Sequence, residues 1–243
     1  MVFRFLPYIF RYILITENYI FSHDTKYDIL YTTYEIRDII LTKIINNYII
    51  IKIMNKEEIR RNILKKRLSL SSEEVKNKSQ QVFLRLAETV EYRNSQNIMF
   101  YVATRSEVQT EEMIKTSIKM GENIFVPIIL TECINLAPSK IYDFDNELEK
   151  GKKGILEPKR EYYRLFPPED IDLIIIPGVV FDLSGNRIGR GFGYYDNFLR
   201  KVRSSAKIVA LAFEMQIVKK IPNDKNDIPV HKIITEKRTI ISV

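Results

Sequence analysis

Cysteine is nearly absent from this chain: Cys133 is the single one in 243 residues. That excludes an intrachain disulfide and a cysteine-ligated metal cluster, and it fits a reducing compartment. Histidine is almost as scarce, with His23 and His231 alone. No HExxH pair or Ser-His-Asp set can be assembled from them, so Cys133 and His231 read as structural residues. There is no tryptophan, and no internal repeat, low-complexity tract or heptad run. Acidic residues are outnumbered by basic ones, and the net charge of +7 suits an anionic ligand, a nucleic acid or an anionic surface without choosing among them.

Glycine is also sparse, and it is concentrated. Of eight glycines, Gly185, Gly189, Gly191 and Gly193 fall within nine residues. The run Leu173 to Ile176 ahead of them is apolar throughout, the pattern of a strand covered on both faces, and Pro177-Gly178 ends it. Tyr195, Phe198 and Leu199 follow at helical spacing. The spacing predicts a buried strand, a glycine-rich turn and a helix.

Alternate glycines leave successive backbone N–H groups uncovered, so such a loop can wrap an anion at a helix start. Arg187 and Arg190 lie in the same loop, where a planar guanidinium can hold phosphate oxygens in pairs, and Asp196 opens the helix. The glycine pattern is neither the Walker loop, which ends in Gly-Lys-Ser/Thr, nor the GxGxxG of dinucleotide folds. A flexible surface turn is the plain alternative for the glycines alone. The arginines, tyrosines and aspartate beside them favour a phosphate site.

NRIGRGFGYYDNFL (Asn186–Leu199), preceded by PGVVFD (Pro177–Asp182), resembles the signature of the 5-formyltetrahydrofolate cyclo-ligase family, whose members are also called 5,10-methenyltetrahydrofolate synthetases. The resemblance spans nearly all of 54–243 and none of 1–53. Residues 1–53 are rich in isoleucine and aromatics and contain no glycine. They read as translated sequence upstream of a start at Met54, with a targeting or membrane-surface segment and an accessory domain as the other readings.

Met54 is followed by an amphipathic helix with Ile59, Ile63 and Leu64 on one stripe and Glu57 and Glu58 in its first turn. Lys56 and Arg60 lie four apart on one face, which from spacing alone is a solvated basic face. The resemblance gives them the ATP phosphates instead. Ser71 and Glu74 predict a capping box opening a second helix, Ile98 to Val102 a strand, Thr110 the cap of a third helix ending near Gly121, and Ile124 to Ile129 a strand. A short strand near Ile134 to Ala137 and strands at Ile208 to Phe213 and Thr239 to Val243 complete the pattern. Strand, turn and helix in alternation predict an α/β fold: one domain with a mostly parallel central sheet, helices on both faces, and ligands at the carboxyl ends of the strands.

From the resemblance, Arg190 and Lys56 are the expected catalytic residues. The expected ATP site comprises Lys56, Arg60, Arg187, Ile188, Gly189, Arg190, Gly191, Phe192, Gly193, Tyr194 and Tyr195. The folate is expected to meet Val102 and Glu107, of the segment SEVQTEEM, together with Arg190, Gly191, Phe192, Gly193 and Tyr194. Asp196 and Asp227 are the expected magnesium ligands, two carboxylates suiting a hard ion shared with phosphate oxygens. The segment GILEP (Gly154–Pro158) resembles a family loop beside the pocket, often preceded by an aromatic; here Lys153 stands there.

The implied reaction converts 5-formyltetrahydrofolate to 5,10-methenyltetrahydrofolate with ATP going to ADP and phosphate. A non-catalytic or differently specialised paralogue is the alternative, kept open by Lys153, and a basic nucleic-acid-binding protein is a second. The expectation is a cytoplasmic monomer taking small-molecule substrates, with magnesium as cofactor and neither nucleic acid nor membrane as partner.

Overall fold

The computed structural model describes residues 56–130, 135–151, 154–222 and 227–242, all within one compact unit, Met54–Val243. Residues 1–53, Cys133 and Lys153 lie outside the described residues. In chain order the elements are α1 (56–68), α2 (Ser72–Ala87), α3 (Val90–Arg93), β1 (Asn97–Phe100), α4 (Glu111–Lys119), β2 (Asn123–Leu130) and β3 (Asn135–Ile141). Then come α5 (Phe144–Glu147), β4 (Leu148–Lys150), β5 (Leu156–Pro158), β6 (Leu173–Ile176), β7 (Val180–Asp182), β8 (Arg187–Ile188) and α6 (Tyr194–Leu199). The chain closes with β9 (Lys207–Leu211), β10 (Ile217–Val218), β11 (Lys232–Ile234) and β12 (Thr239–Ile241).

Seven strands form the central sheet in the order β12-β11-β9-β6-β1-β2-β3. The five inner strands pair in parallel, and β12 and β3 add antiparallel edges. Parallel pairing follows from the composition of the inner strands. All four side chains of β6 are buried, which only a strand with both faces covered can offer. Alternation then divides each strand between two cores. Ile98, Phe100, Leu173 and Ile175 pack with Val82 and Leu86 of α2 and Met113 and Ile114 of α4. Met99, Ile174 and Ile176 face the other way, against Phe198 and Leu199 of α6. Helices cover both faces, as expected. Each fully buried isoleucine contributes about 1.5–3 kcal/mol, so the four-residue β6 anchors the sheet out of proportion to its length.

Read by sequence, the inner strands β1, β2, β6, β9 and β11 reverse direction of travel between β1 and β6. From β1 the chain steps outward to β2, then returns to lay β6 on the other side. Loops leaving β1 and β6 therefore diverge, and the crevice between them is where open α/β sheets take ligands.

Two local expectations are corrected. Thr110 precedes α4, but its side chain makes no cap. It is fully buried; its Oγ1 donates to the Tyr101 carbonyl (2.7 Å) and accepts from Ala103 N (3.2 Å), pinning the loop after β1 closed. That long-range use of the hydroxyl outweighs the local one. The glycine-rich stretch, read as a turn, contains a β-hairpin, β7 and β8, to which β10 adds a parallel strand. The Ser71–Glu74 capping box is present in both directions. The expected strands all occur, with ends displaced by a few residues: the one near Ile134 runs as Asn135–Ile141, and the one from Ile208 as Lys207–Leu211.

Candidate active site

The hairpin is shaped by one carboxylate. Asp182 is 1% exposed, and its oxygens accept from the backbone N–H groups of Ser184 (3.0 Å), Asn186 (3.0 Å) and Ile221 (3.1 Å) and from Asn186 Nδ2. These bonds fold the residues after β7 back on themselves, so that β8 delivers Gly189 to Gly193 at the crevice. Gly191 (φ 95°) and Gly193 (φ 68°) take left-handed backbone conformations that residues with a Cβ avoid, and Gly193 stands as the N-cap of α6. This places the alternating glycines in a loop that opens a helix.

Helix α1 runs to this loop. Lys56, Arg60 and Arg67 occur at i, i+4 and i+11, within about 40° of each other around a helix of 3.6 residues per turn. They therefore form one stripe, with Ile63 between them packed on Val179, Val180 and Ile188. Lys56 Nζ pairs with Asp227 Oδ2 at 3.0 Å, and Arg60 Nε donates to the Gly189 carbonyl at 2.9 Å. Arg60 also pairs with Glu57. The basic face read from spacing as solvated is turned toward the glycine loop. Burial lowers the Arg60 pKa, yet an arginine so shifted is still a cation at neutral pH.

Within the loop, the two arginines have different settings. Arg187, on β8, is 9% exposed and its Nη2 donates to Asp196 Oδ1 at 2.6 Å. Arg190 is half exposed and reaches across the crevice, where its Nη2 donates to Thr104 Oγ1 (3.0 Å) and to Glu107 Oε1 (3.1 Å). Glu107 is 8% exposed, and its Oε2 accepts from Thr104 N (2.8 Å). The loop after β1 and the glycine loop after β8 thus meet through an arginine–carboxylate pair. Val102 is buried in the core with Val82, Leu86 and Met113, and Phe192 is exposed with its ring 5.9 Å from that of Tyr194. Burial pushes the Tyr101 and Tyr195 phenols up and the Glu107 carboxylate pushes them further, so both keep their protons.

Six of the expected residues stand in three ion pairs: Lys56 with Asp227, Arg187 with Asp196, and Arg190 with Glu107. Two participants were not anticipated. Thr104 has no sequence signal apart from its place just after a strand. Arg67 did have one, since it continues the Lys56–Arg60 stripe two turns on. It is 1% exposed and donates through Nη1 to the Gly178 carbonyl at 3.0 Å, in the short connection between β6 and β7. Among the described residues, no three His, Cys, Asp or Glu side chains cluster as a metal set, and no helix is long and apolar enough to cross a membrane.

This arrangement has known relatives. The profile of the 5-formyltetrahydrofolate cyclo-ligase family matches residues 52–236. The chain belongs to that family. A probable 5-formyltetrahydrofolate cyclo-ligase of Caenorhabditis elegans is 32% identical over 182 residues, 71% of this chain and 88% of that protein. The Mus musculus 5-formyltetrahydrofolate cyclo-ligase is likewise 32% identical, over 71% of this chain and 90% of its own length. The solution structure of Aquifex aeolicus 5,10-methenyltetrahydrofolate synthetase superposes with a TM-score of 0.68 at 32% identity, covering 76% of this chain and 92% of that one. The cyclo-ligase fold of these relatives is thus the α/β architecture of 54–243, and the glycine loop that first suggested the family lies inside the matched region.

Proposed function

We propose that this enzyme closes 5-formyltetrahydrofolate to 5,10-methenyltetrahydrofolate, consuming ATP and releasing ADP and phosphate. The observation that carries the reading is the meeting of two chemistries in one crevice. A cationic, amide-lined loop fit for phosphate is joined through Arg190 to a carboxylate fit for the N–H groups of a pterin-like ring.

The formyl oxygen is a poor leaving group. Transfer of the ATP γ-phosphoryl to it forms a new P–O bond, breaks the bond to ADP and leaves an imidate-like phosphate on carbon. The nitrogen at position 10 then attacks that carbon, the C–O bond breaks, phosphate departs with the former formyl oxygen, and the nitrogen's proton is released. No step needs a nucleophilic side chain. Catalysis here is placement and neutralisation of charge. Lys56, Arg60 and Arg187 bind and orient the phosphates with the Gly189–Gly193 loop. Arg190, reaching from that loop to Glu107, faces both the phosphoryl group and the formyl oxygen. Glu107 and Val102 take the folate.

Asp196 and Asp227 are the residues that would hold a magnesium ion, because carboxylate oxygens are the donors such a hard ion takes; each would exchange its present cation, Arg187 and Lys56 respectively, for the metal. When bound, the ion would neutralise phosphate oxygens. We place the reaction in the 54–243 unit, acting as a cytoplasmic monomer.

The test is the near-ultraviolet absorbance of the methenyl product, followed with the full chain. Growth is expected when 5-formyltetrahydrofolate, ATP and magnesium are all present, with loss of the signal when any one is omitted or when magnesium is chelated. Binding of folate and nucleotide without product would instead favour a non-catalytic paralogue.

A further inference from the structure

Arg67 is used by none of the steps above, yet it is among the most buried side chains of the molecule. Its Nη1 is held by the Gly178 carbonyl, which Gln216 Nε2 also approaches, at 2.9 Å. Its Nε and Nη2 are buried and have no hydrogen-bond partner among the described residues. Nη2 stands 3.8 Å from Glu107 Oε1, close enough to pair as an ion but too far for a hydrogen bond. Burial lowers the Arg67 pKa, with Glu107 opposing the fall and Arg190 adding to it. A buried guanidinium with two unused donors is costly unless a charge faces it.

The groups around Glu107 define what that arginine can do. Thr104 N fixes Oε2, and Oε1 takes Arg190 on one side and Arg67 on the other. The Tyr101 hydroxyl is committed to the Val108 carbonyl, and Tyr195 is a neutral phenol. The two cations differ in kind. Arg190 is half exposed and carried on the glycine loop, whereas Arg67 is buried on helix α1 and tied to the connection between β6 and β7. Arg190 also has a second claim on it, the phosphoryl group. When it answers that claim, Glu107 loses its hydrogen-bonded cation just as it must hold the folate.

Resting on the cyclo-ligase reading of this crevice, we propose that Arg67 is a positioning residue. It takes over the Glu107 carboxylate when Arg190 turns to the phosphoryl oxygens, so that the folate-binding group stays fixed through the reaction. Closing the gap to about 2.9 Å, the usual charge-assisted distance, needs a movement of roughly one ångström.

The test is a double-substitution cycle read as Michaelis constants for each substrate. Arg67→Met is expected to raise the folate KM about tenfold and leave the ATP KM within about twofold, and Arg67→Lys to recover part of the loss. In a Glu107→Gln background the same Arg67→Met change should move the folate KM by less than about twofold, because the carboxylate it positions is gone. A role in packing alone would raise both constants or neither, and would act equally in both backgrounds; that result overturns the proposal. If Arg67→Met does not fold, Arg67→Lys with and without Glu107→Gln supplies the same cycle. A wild-type enzyme that forms no product defeats the functional reading itself, whereas product formation with an unchanged folate KM in the Arg67 variants defeats this inference alone.

Discussion

Replacing Arg190 with alanine is expected to lower turnover by about 10²- to 10³-fold, the cost of deleting one donor aimed at developing charge. The fold should hardly register the change. Arg190 is half exposed, and its pairing with Glu107 is a part-solvated contact of the kind that contributes about 1 kcal/mol or less. For a domain of this size that is a melting shift of roughly 2–4 °C. Arg190→Lys should fall between wild type and alanine, since it keeps the charge but loses the planar fork that can touch two oxygens at once. Parallel melts and initial rates decide the matter. A fall in stability large enough to account for the lost rate would show that Arg190 holds the crevice together and does no chemistry there.

Asp182→Ala should have the opposite profile. The buried carboxylate organises the hairpin by accepting from three backbone N–H groups and one side-chain amide, and alanine leaves those donors without a partner. An unsatisfied buried donor costs about 1–3 kcal/mol, so a loss of roughly 3–5 kcal/mol and a melting point lower by about 10 °C or more are expected. Asp182→Asn, which keeps one oxygen, should lose less. Activity at a temperature where the variant is still folded should also fall, because Gly189 to Gly193 hang from this hairpin. An unchanged melt would mean that other contacts set the loop's shape.

These two residues mark what a sequence can and cannot tell. Arg190 was legible because chemistry is written locally: alternate glycines, arginines and an aspartate within ten positions have few other uses. The all-apolar run of β6 was legible for the same kind of reason, since burial on both faces leaves no polar position. The hairpin around Asp182 was not, because its strands are only three and two residues long and carry no period, and its partner strand β10 comes more than thirty residues later. Thr110 shows the competition directly. Its position before Glu111 and Glu112 is that of a helix cap, but a buried backbone carbonyl across the loop claimed its hydroxyl. The basic stripe of α1 was read in part: spacing put Lys56 and Arg60 on one face, and extending the count to Arg67 would have found the third cation. What spacing does not carry is which way that face turns, and tertiary packing of Ile63 against the hairpin decides it.

The central claim is that the phosphoryl group travels to the formyl oxygen in this crevice. The most direct test supplies the wild-type enzyme with 5-formyltetrahydrofolate labelled with oxygen-18 in the formyl group, together with ATP and magnesium, and measures where the label goes by mass spectrometry of the released phosphate. One labelled oxygen in each phosphate is the predicted result, in step with methenyl product. Unlabelled phosphate, with the label recovered in water, would contradict the account, because the ring would then close by simple loss of the oxygen and ATP hydrolysis would be a separate event.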